Sequence, residues 1–302
     1  QIAVFNFVSR GEWYVHIGDL SPEKPEEPKL RERAQSLLDR MPGADQESLA
    51  QALIAMGGGQ YGNAADLLRR HLKLDGLDAE AMKLLGKCLF LERRFSEAFE
   101  ALDRAVRLAP RADNLDWRAQ ARGATGDIDG AIEDLSKAIG LEPRTAKFHV
   151  NRASILAIQR RFEEAVRDCA RAIELDPTNS RAYVNLGYIH GVRGQFDEAI
   201  RDYTTAIRMN PNDGIAYVNR GAANSQKGLY EDALKDYSRA LELNPRDALA
   251  LSNQGAVKGR LGRTEEAIED CSRAIKADPL YSGAYANRGT ALAAQGRREE
   301  AM

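Results

Sequence analysis

The sequence predicts an all-α protein built from repeated pairs of helices. Helix-ending residues recur along the chain at a nearly constant spacing, with steps of 34 residues and a single step of 33. These residues are Pro42, Gly76, Pro110, Pro143, Pro177, Pro211, Pro245 and Pro279. Between them, apolar residues return with the 3.6-residue period of an amphipathic helix, and small residues occupy fixed positions. A period of this length is typical of arrays that grow by adding helical units, rather than of two globular domains.

Residues 1–29 precede the array and differ from it in composition. Residues 1–20 are rich in β-branched and aromatic residues on either side of a turn-like cluster, which predicts a β-hairpin or two extended segments. Residues 21–28 read SPEKPEEP, and their prolines predict a non-helical linker. Two interpretations remain open for this segment. It is either an extended cap or the end of a preceding domain, or else a self-ligand lying on the array.

Helical periodicity begins directly after this segment. Leu30, Ala34, Leu37 and Leu38 fall on one face of a helix, and a proline closes the pattern. Residues 30–42 are therefore predicted to form a single helix that caps the first repeat.

Residues 180–213 show the pattern of one complete repeat. A first amphipathic segment carries Tyr183, Leu186, Gly187 and Ile189, and a turn follows at Gly194-Gln195-Phe196. A second segment carries Ala199, Ile200, Tyr203, Ala206, Ile207 and Met209. Two helices of about a dozen residues, joined by a glycine turn, fit both the length and the period.

Small residues recur where the two helices of a repeat would cross. They are Gly86, Ala119, Ala153, Gly187, Gly221, Gly255 and Gly289 in the first helix, and Ala98, Ala131, Ala165, Ala199, Ala233, Ala267 and Ala301 in the second. Small side chains let two backbones approach closely, and a bulky residue there would overpack the crossing. Cys169 and Cys271 occupy the position of Tyr203 and Tyr237 in sister repeats, so we expect them to be core residues rather than nucleophiles.

These features together resemble the tetratricopeptide repeat: the Tyr-x-x-Leu-Gly pattern, the glycine turn, the paired alanines and the closing Asp/Asn-Pro. Seven such repeats span 45–281, and a partial eighth spans 282–302. The resemblance implies a right-handed superhelical solenoid of helix-turn-helix repeats, with the first helix of each pair lining a concave groove. The early repeats depart from the pattern, because Gly76 replaces the proline and Arg93 the turn glycine.

One polar residue also keeps the period. Asparagine occupies the same first-helix position in five successive repeats, as Asn151, Asn185, Asn219, Asn253 and Asn287. We call this position the asparagine slot; in the earlier repeats it holds Ala50, Leu84 and Trp117. Asparagine is a poor helix former, so the run needs a compensating role. Either each amide bonds the neighbouring repeat, or each offers a donor and an acceptor to the main chain of an extended ligand.

The run resembles the asparagine ladder in the repeat domain of O-linked N-acetylglucosamine transferase, which implies that it holds extended polypeptides. Residues beside the slot are mostly small, which favours an open surface on which Tyr188 would contact the ligand. A groove of this kind is expected to run from Asn151 to Asn287, with residues 30–145 forming a differently surfaced arm.

A second resemblance is to the carboxylate clamp of co-chaperones. Lys147, Asn151 and Asn185 match its first two repeats, and Arg181, Asn185 and Asn219 match in the next register. The third repeat departs from the clamp in both registers. The predicted peptide-binding residues are thus the five asparagines together with Lys147, Arg181 and Tyr188.

Aspartates recur in the second helix, three residues beyond its alanine, as Asp134, Asp168, Asp202, Asp236 and Asp270. Arginine often follows the asparagine slot, which predicts the ion pairs Arg152–Asp168 and Arg220–Asp236. Leu186 and Gln254 interrupt the arginines, which indicates that pairing is not required in every repeat.

Composition narrows the remaining function classes. A formal net charge of −2 does not favour a nucleic-acid partner, and the sequence has no apolar run long enough to span a bilayer. The four histidines are scattered, and neither a metal motif nor a phosphate-binding loop is present, so we expect no cofactor and no catalysis. Three widely spaced cysteines favour reduced thiols and a cytoplasmic location.

The sequence therefore predicts a protein–protein interaction scaffold that binds an extended or helical segment of a partner. The alternative is the substrate-recognition arm of a larger enzyme, such as a glycosyltransferase, whose catalytic domain lies outside residues 1–302. A third interpretation is self-association, in which the terminal repeats, with an apolar face open after Ala301, stack end to end.

Overall fold

The computed structural model describes residues 27–39 and 44–297, and within these ranges every regular element is an α-helix. Sixteen helices follow one another in this part of the chain, so the predicted all-α architecture of helix-turn-helix repeats is confirmed. The predictions for residues 1–26, and the last residues of the partial eighth repeat at 298–302, lie outside the described residues.

The helices alternate as the pattern predicted. Helix α1 spans Glu27–Asp39 and precedes the first pair; it begins inside the predicted non-helical linker 21–28, because a proline is tolerated in the first turn of a helix. The first helices of the repeats are α2 (Ala44–Gly57), α4 (Ala79–Leu91), α6 (Ala112–Thr125), α8 (Ala146–Ile158), α10 (Ser180–Val192), α12 (Gly214–Gln226), α14 (Ala248–Arg260) and α16 (Ser282–Ala294). The second helices are α3 (Tyr61–Leu74), α5 (Phe95–Leu108), α7 (Ile128–Leu141), α9 (Phe162–Leu175), α11 (Phe196–Met209), α13 (Tyr230–Leu243) and α15 (Thr264–Ala277).

The described residues form two compact units, one ending at Arg171 within α9 and the other beginning at Ala172. In the first unit each helix from α1 to α8 packs against the next, and α4 also packs against α6. In the second unit the same holds from α10 to α16, and the first helices α12, α14 and α16 pack on one another in turn. First helices are therefore neighbours across successive repeats.

The closing proline is followed two residues later by the cap of the next first helix. Asn179, Asp213 and Asp247 each accept a hydrogen bond from a backbone amide in the first turn, as an N-cap does. Asp213, for example, accepts from the amides of Ile215 and Ala216 at 3.1 and 3.2 Å. Proline ends one helix and the cap begins another, which fixes the length of the connection.

The small residues lie at the predicted crossings. A Cβ atom added at Gly187 would lie 2.7 Å from the ring of Tyr203, and one added at Gly255 would lie 2.7 Å from Sγ of Cys271. The facing alanine Ala199 is fully buried. Cys169 and Cys271 are fully buried as well, so the predicted placement of both cysteines in the core is confirmed. Burial raises the pKa of the Cys271 thiol to about 11.

We expect Ala199→Leu to lower the free energy of unfolding by about 1–3 kcal/mol, because the larger side chain has no room beside Tyr203. Urea denaturation followed by circular dichroism would measure the change. The substitution Arg208→Leu, at an exposed residue of the same helix, serves as the control. Equal stability of the Ala199 variant and the parent chain would contradict close packing at this crossing.

Two inter-helix turns depart from glycine. Gly194 adopts a φ of 76°, in the left-handed region, whereas Arg93 and Arg160 adopt φ values of 63° and 60° at the equivalent position of their repeats. A side chain with a Cβ is disfavoured in this region, so both arginines carry backbone strain.

We expect Arg93→Gly to raise the free energy of unfolding by about 0.5–1 kcal/mol, because the strain it relieves exceeds the added freedom of the unfolded chain. Chemical denaturation would measure the gain. Arg94→Gly is the matched control: its φ is −89°, so the same change there relieves no strain and is expected to destabilise.

Candidate functional site

At Asn151 and Asn287, the asparagine slot lies on the side of the first helix that faces the preceding first helix. The amide nitrogen of Asn151 in α8 donates to Oδ1 of Asp116 in α6 at 2.6 Å. The amide nitrogen of Asn287 in α16 donates to Oγ of Ser252 in α14 at 2.9 Å. At both ends of the run, the amide therefore bonds the neighbouring repeat, which is the structural role considered above.

The partner of each slot residue stands 35 positions earlier in the chain. That position holds Asp116 for Asn151 and Ser252 for Asn287, but it holds valine for the three central asparagines, as Val150, Val184 and Val218. Valine has no side-chain acceptor, so the side-chain to side-chain bond seen at the two ends has no counterpart at these positions.

The central asparagines differ from one another in their surroundings. Asn185 and Asn219 are almost completely buried and have interactions within the chain. Asn253 in α14 is half-buried, and its amide nitrogen is buried with no hydrogen-bond acceptor among the described residues. A buried amide donor without an acceptor is unusual in a folded protein, and it marks Asn253 as the slot residue most in need of an external partner.

The other predicted binding residues are engaged inside the fold. The Lys147 ammonium lies 2.9 Å from Oδ2 of Asp116, so Lys147 and Asn151 together hold one buried internal carboxylate. Tyr188 is 3% exposed, so it offers almost no surface to a ligand. Arg181 is half-buried and has interactions within the chain.

A cluster that the sequence analysis missed surrounds Trp117, which occupies the asparagine slot of α6. The ammonium of Lys87 lies 4.7 Å from the centre of the Trp117 ring, and that of Lys147 lies 5.6 Å from it. Lys83 pairs with Asp113 at 2.8 Å. Burial, opposed by Asp113 and reinforced by Lys83 and Lys147, lowers the pKa of Lys87. The spacing of Lys83 and Lys87, four residues apart on one helix, was the available signal in the sequence.

The recurrent aspartates are buried and paired. Arg152 binds Asp168 through two hydrogen bonds of 2.7 Å, and Arg220 binds Asp236 at 2.6 and 3.0 Å, so both predicted ion pairs are confirmed. Burial raises the pKa of Asp168, but the bonds from Arg152 and His149 outweigh it and leave the pKa below its usual value.

The repeats that carry Leu186 and Gln254 lack the arginine pair, as the sequence indicated, but their aspartates have another partner. His190 lies 2.6 Å from Asp202, and Lys258 lies 2.6 Å from Asp270. Both bases stand five residues after the asparagine slot, one turn beyond the missing arginine. A nitrogen-bearing side chain from a different position thus reaches the aspartate in the repeats that carry Leu186 and Gln254, because residues four apart lie on the same side of a helix.

One group of potential metal ligands occurs among the described residues, formed by His71, Asp75 and Asp78. Both carboxylates already have partners. Asp78 caps α4, and its Oδ2 lies 2.9 Å from Nε2 of His71. Asp75 accepts a hydrogen bond from the backbone amide of Leu77. These hydrogen bonds explain why the three residues lie together, because they stabilise the connection between α3 and α4. Across residues 27–39 and 44–297, no helix is long and apolar enough to cross a bilayer.

The family model of the tetratricopeptide repeat matches residues 49–113, 118–180, 184–248 and 252–302. The chain belongs to the tetratricopeptide repeat family. The first resemblance drawn from the sequence is therefore confirmed, including its weaker early repeats. No curated protein matches the chain.

Several solved structures share the tetratricopeptide fold. A tetratricopeptide repeat protein from Parabacteroides merdae is 17% identical with a TM-score of 0.65, covering 88% of this chain and 98% of that one. Yeast Tom70 is 21% identical with a TM-score of 0.61, and the match covers 92% of this chain and 59% of the Tom70 chain. YrrB, a tetratricopeptide protein with an unusual peptide-binding site, is 27% identical with a TM-score of 0.47, covering 57% of this chain and 88% of its own. The chain spans 59% of the length of Tom70, and the similarities to Tom70 and to the Parabacteroides merdae protein show the fold alone.

Proposed function

We propose that the chain is a protein–protein interaction scaffold that binds an extended or helical segment of a partner along its first helices, without catalytic chemistry of its own. Membership of the tetratricopeptide repeat family supports an interaction role. The near-neutral net charge of −2 favours a protein ligand over nucleic acid. A cytoplasmic location is part of the proposal, and the buried free thiols of Cys88, Cys169 and Cys271 support it.

The observation that carries this proposal is the unsatisfied amide of Asn253. A buried donor without an acceptor costs about 1–3 kcal/mol, and because the Asn253 side chain as a whole is only half-buried, rotation of its amide would bring the nitrogen to a ligand carbonyl that recovers this cost. A main-chain carbonyl is the acceptor that every peptide offers, whatever its sequence. Asn253 in α14 stands between Asn219 in α12 and Asn287 in α16, so the proposed ligand contact is centred on these three helices.

We expect Asn253→Ala to weaken peptide binding about tenfold or more without lowering stability, because the amide contributes no bond to the free protein. Linear peptides selected from a random library on the parent chain would provide the ligand, and calorimetry would provide the affinity. Asn287→Ala is expected to lower stability instead, since it removes the bonds to Ser252.

Asn212→Ala, at an exposed asparagine in the same unit, is the matched control and should change neither quantity. Full binding by the Asn253 variant, or failure of the library to yield any ligand, would count against a peptide site at the slot. A loss of stability in that variant would assign Asn253 a structural role.

The alternative function, a recognition arm of a larger enzyme, would use the same surface. The open reading frame on either side of residues 1–302 distinguishes the two proposals, since only the second requires an adjoining catalytic domain.

A further inference from the structure

A cavity of about 230 Å³ lies between α7, α8 and α9, within the first unit. It is bounded by second helices α7 and α9, whereas the asparagine slots lie between first helices. Its apolar wall is formed by Ile132 and Leu156, and its polar wall by side chains of α9 with Arg152 of α8. This cavity plays no part in the function proposed above.

The cavity is open because Leu156 is short and apolar. Leu156 stands five residues after the asparagine slot, a position from which a polar side chain contacts the recurrent aspartate in four other repeats, namely Arg122, His190, Asn224 and Lys258. In the repeat of α14 and α15, Lys258 takes this place, with its ammonium 2.6 Å from Asp270 and 3.5 Å from Glu266. The corresponding space beside Asp168 and Glu164 receives no such group from Leu156.

The charges around the cavity do not balance. Arg152 is bound to Asp168, and Arg161 holds both oxygens of Glu164 at 2.7 and 2.9 Å. The exposed Arg167, which also lines the cavity, has no hydrogen bond or ion pair among the described residues. Three guanidinium groups therefore face two carboxylates, which leaves one positive charge uncompensated.

The sister repeat of α10 and α11 explains why Arg167 is left over. Its equivalent, Arg201, pairs with Glu198 at 3.2 Å. That pairing is possible because residue 195 is a glutamine, whereas the equivalent Arg161 has already occupied Glu164. In the repeat of α4 and α5, Leu89 and Arg94 stand at the same two positions, but Glu100 takes the place of Arg167, so no arginine is left over there.

We propose that the cavity binds a carboxylate attached to a branched aliphatic group, with the carboxylate on Arg167 and the aliphatic group against Ile132 and Leu156. A guanidinium is suited to a carboxylate, which it can hold through two parallel hydrogen bonds. The volume is below the roughly 300 Å³ at which small-molecule pockets begin, so it fits a group the size of one amino-acid side chain. Such a group could come from a free acid or from the C-terminal residue of a partner chain.

The test uses N-acetyl-leucine as the ligand and N-acetyl-leucinamide as its neutral analogue. Methyl resonances of Ile132 and Leu156 are expected to shift saturably with the acid and not with the amide. Arg167→Gln should weaken binding about tenfold, since it removes a charge-assisted hydrogen bond. Arg201→Gln, the equivalent arginine of the sister repeat, should leave binding unchanged.

Equal shifts with the amide, retained binding in the Arg167 variant, or equal loss in the Arg201 variant would overturn the proposal. Inorganic phosphate giving the same methyl shifts would also overturn it, because the aliphatic group would then be irrelevant. A peptide ending in leucine, with a free or an amidated C-terminus, distinguishes the two sources: tighter binding than N-acetyl-leucine by the free-terminus peptide alone identifies a chain end as the ligand.

Discussion

Replacing Asp116 with alanine is expected to lower the free energy of unfolding by about 2–4 kcal/mol. The carboxylate is fully buried and accepts hydrogen bonds from Asn151 at 2.6 Å and Gln120 at 3.3 Å, while Lys147 pairs with it at 2.9 Å. Removing one partner of a buried ion pair leaves the other uncompensated, although Lys147 is 35% exposed and water offsets part of the loss. Urea denaturation would measure the change.

The control is Asp66→Ala, which removes a carboxylate that is 69% exposed and pairs only on the surface with Arg69. It should change stability by no more than about 0.5 kcal/mol. A comparably small effect at Asp116 would mean that the internal carboxylate is dispensable.

The same variant tests what Lys147 and Asn151 do. In the parent chain, these predicted ligand-binding residues hold an internal carboxylate. If that role is structural, formate added to Asp116→Ala should restore part of the lost stability by occupying the vacated position. The exposed-site variant Asp66→Ala should show no such gain.

The fold could be predicted from the sequence because its determinants are local and repeated. Proline at the end of one helix, a cap two residues later and small residues at each crossing act within a single repeat, so every copy supports the same interpretation. Arg93 and Arg160 show the limit of this argument. The register of the repeat identifies their turn position, but the sequence alone does not show that each adopts the glycine-like conformation.

The candidate site was harder to predict because it depends on contacts between repeats. Asn151, Asn253 and Asn287 occupy the same position of the repeat, yet their amides have different surroundings. The amide of Asn151 donates to Asp116 and that of Asn287 to Ser252, whereas the amide nitrogen of Asn253 has no acceptor among the described residues. The distinguishing residue stands 35 positions earlier, and its relevance becomes visible only when the packing of successive first helices is known. Trp117 was noted as a departure from the asparagine run, but the lysines that surround it come from two other helices.

The recurrent aspartates illustrate how one contact can be supplied from two positions. When each residue is compared with its equivalent 34 positions away, Gln254 stands in the place of Arg220, and the ion pair with the aspartate is predicted to be lost. This comparison does not register that Lys258, one turn further along the same helix, reaches Asp270. The aspartate is therefore paired in these repeats, although the residue that pairs with it does not stand at the same repeat position in all of them.

This interchange leads to the second prediction with a large expected effect. Lys258→Leu should lower the free energy of unfolding by about 2–3 kcal/mol, because Asp270 is buried and keeps only the exposed Arg273, at 3.3 Å, as a cationic partner. Lys276→Leu, at an exposed lysine of the same repeat, should have an effect of no more than about 0.5 kcal/mol.

Adding Gln254→Arg to the Lys258 variant should recover at least half of the loss. Arg152 and Arg220, at the same repeat position, each bind their aspartate while donating to a hydroxyl of the preceding second helix, Ser136 and Thr204 respectively. Gln254 already donates to the equivalent Ser238 at 3.1 Å, so an arginine there has both of its partners in place. Thermal and urea denaturation of the parent, single and double variants would measure the coupling. Additive effects would show that the two positions are independent, whereas rescue would show that each repeat requires one cation on its aspartate and tolerates either source.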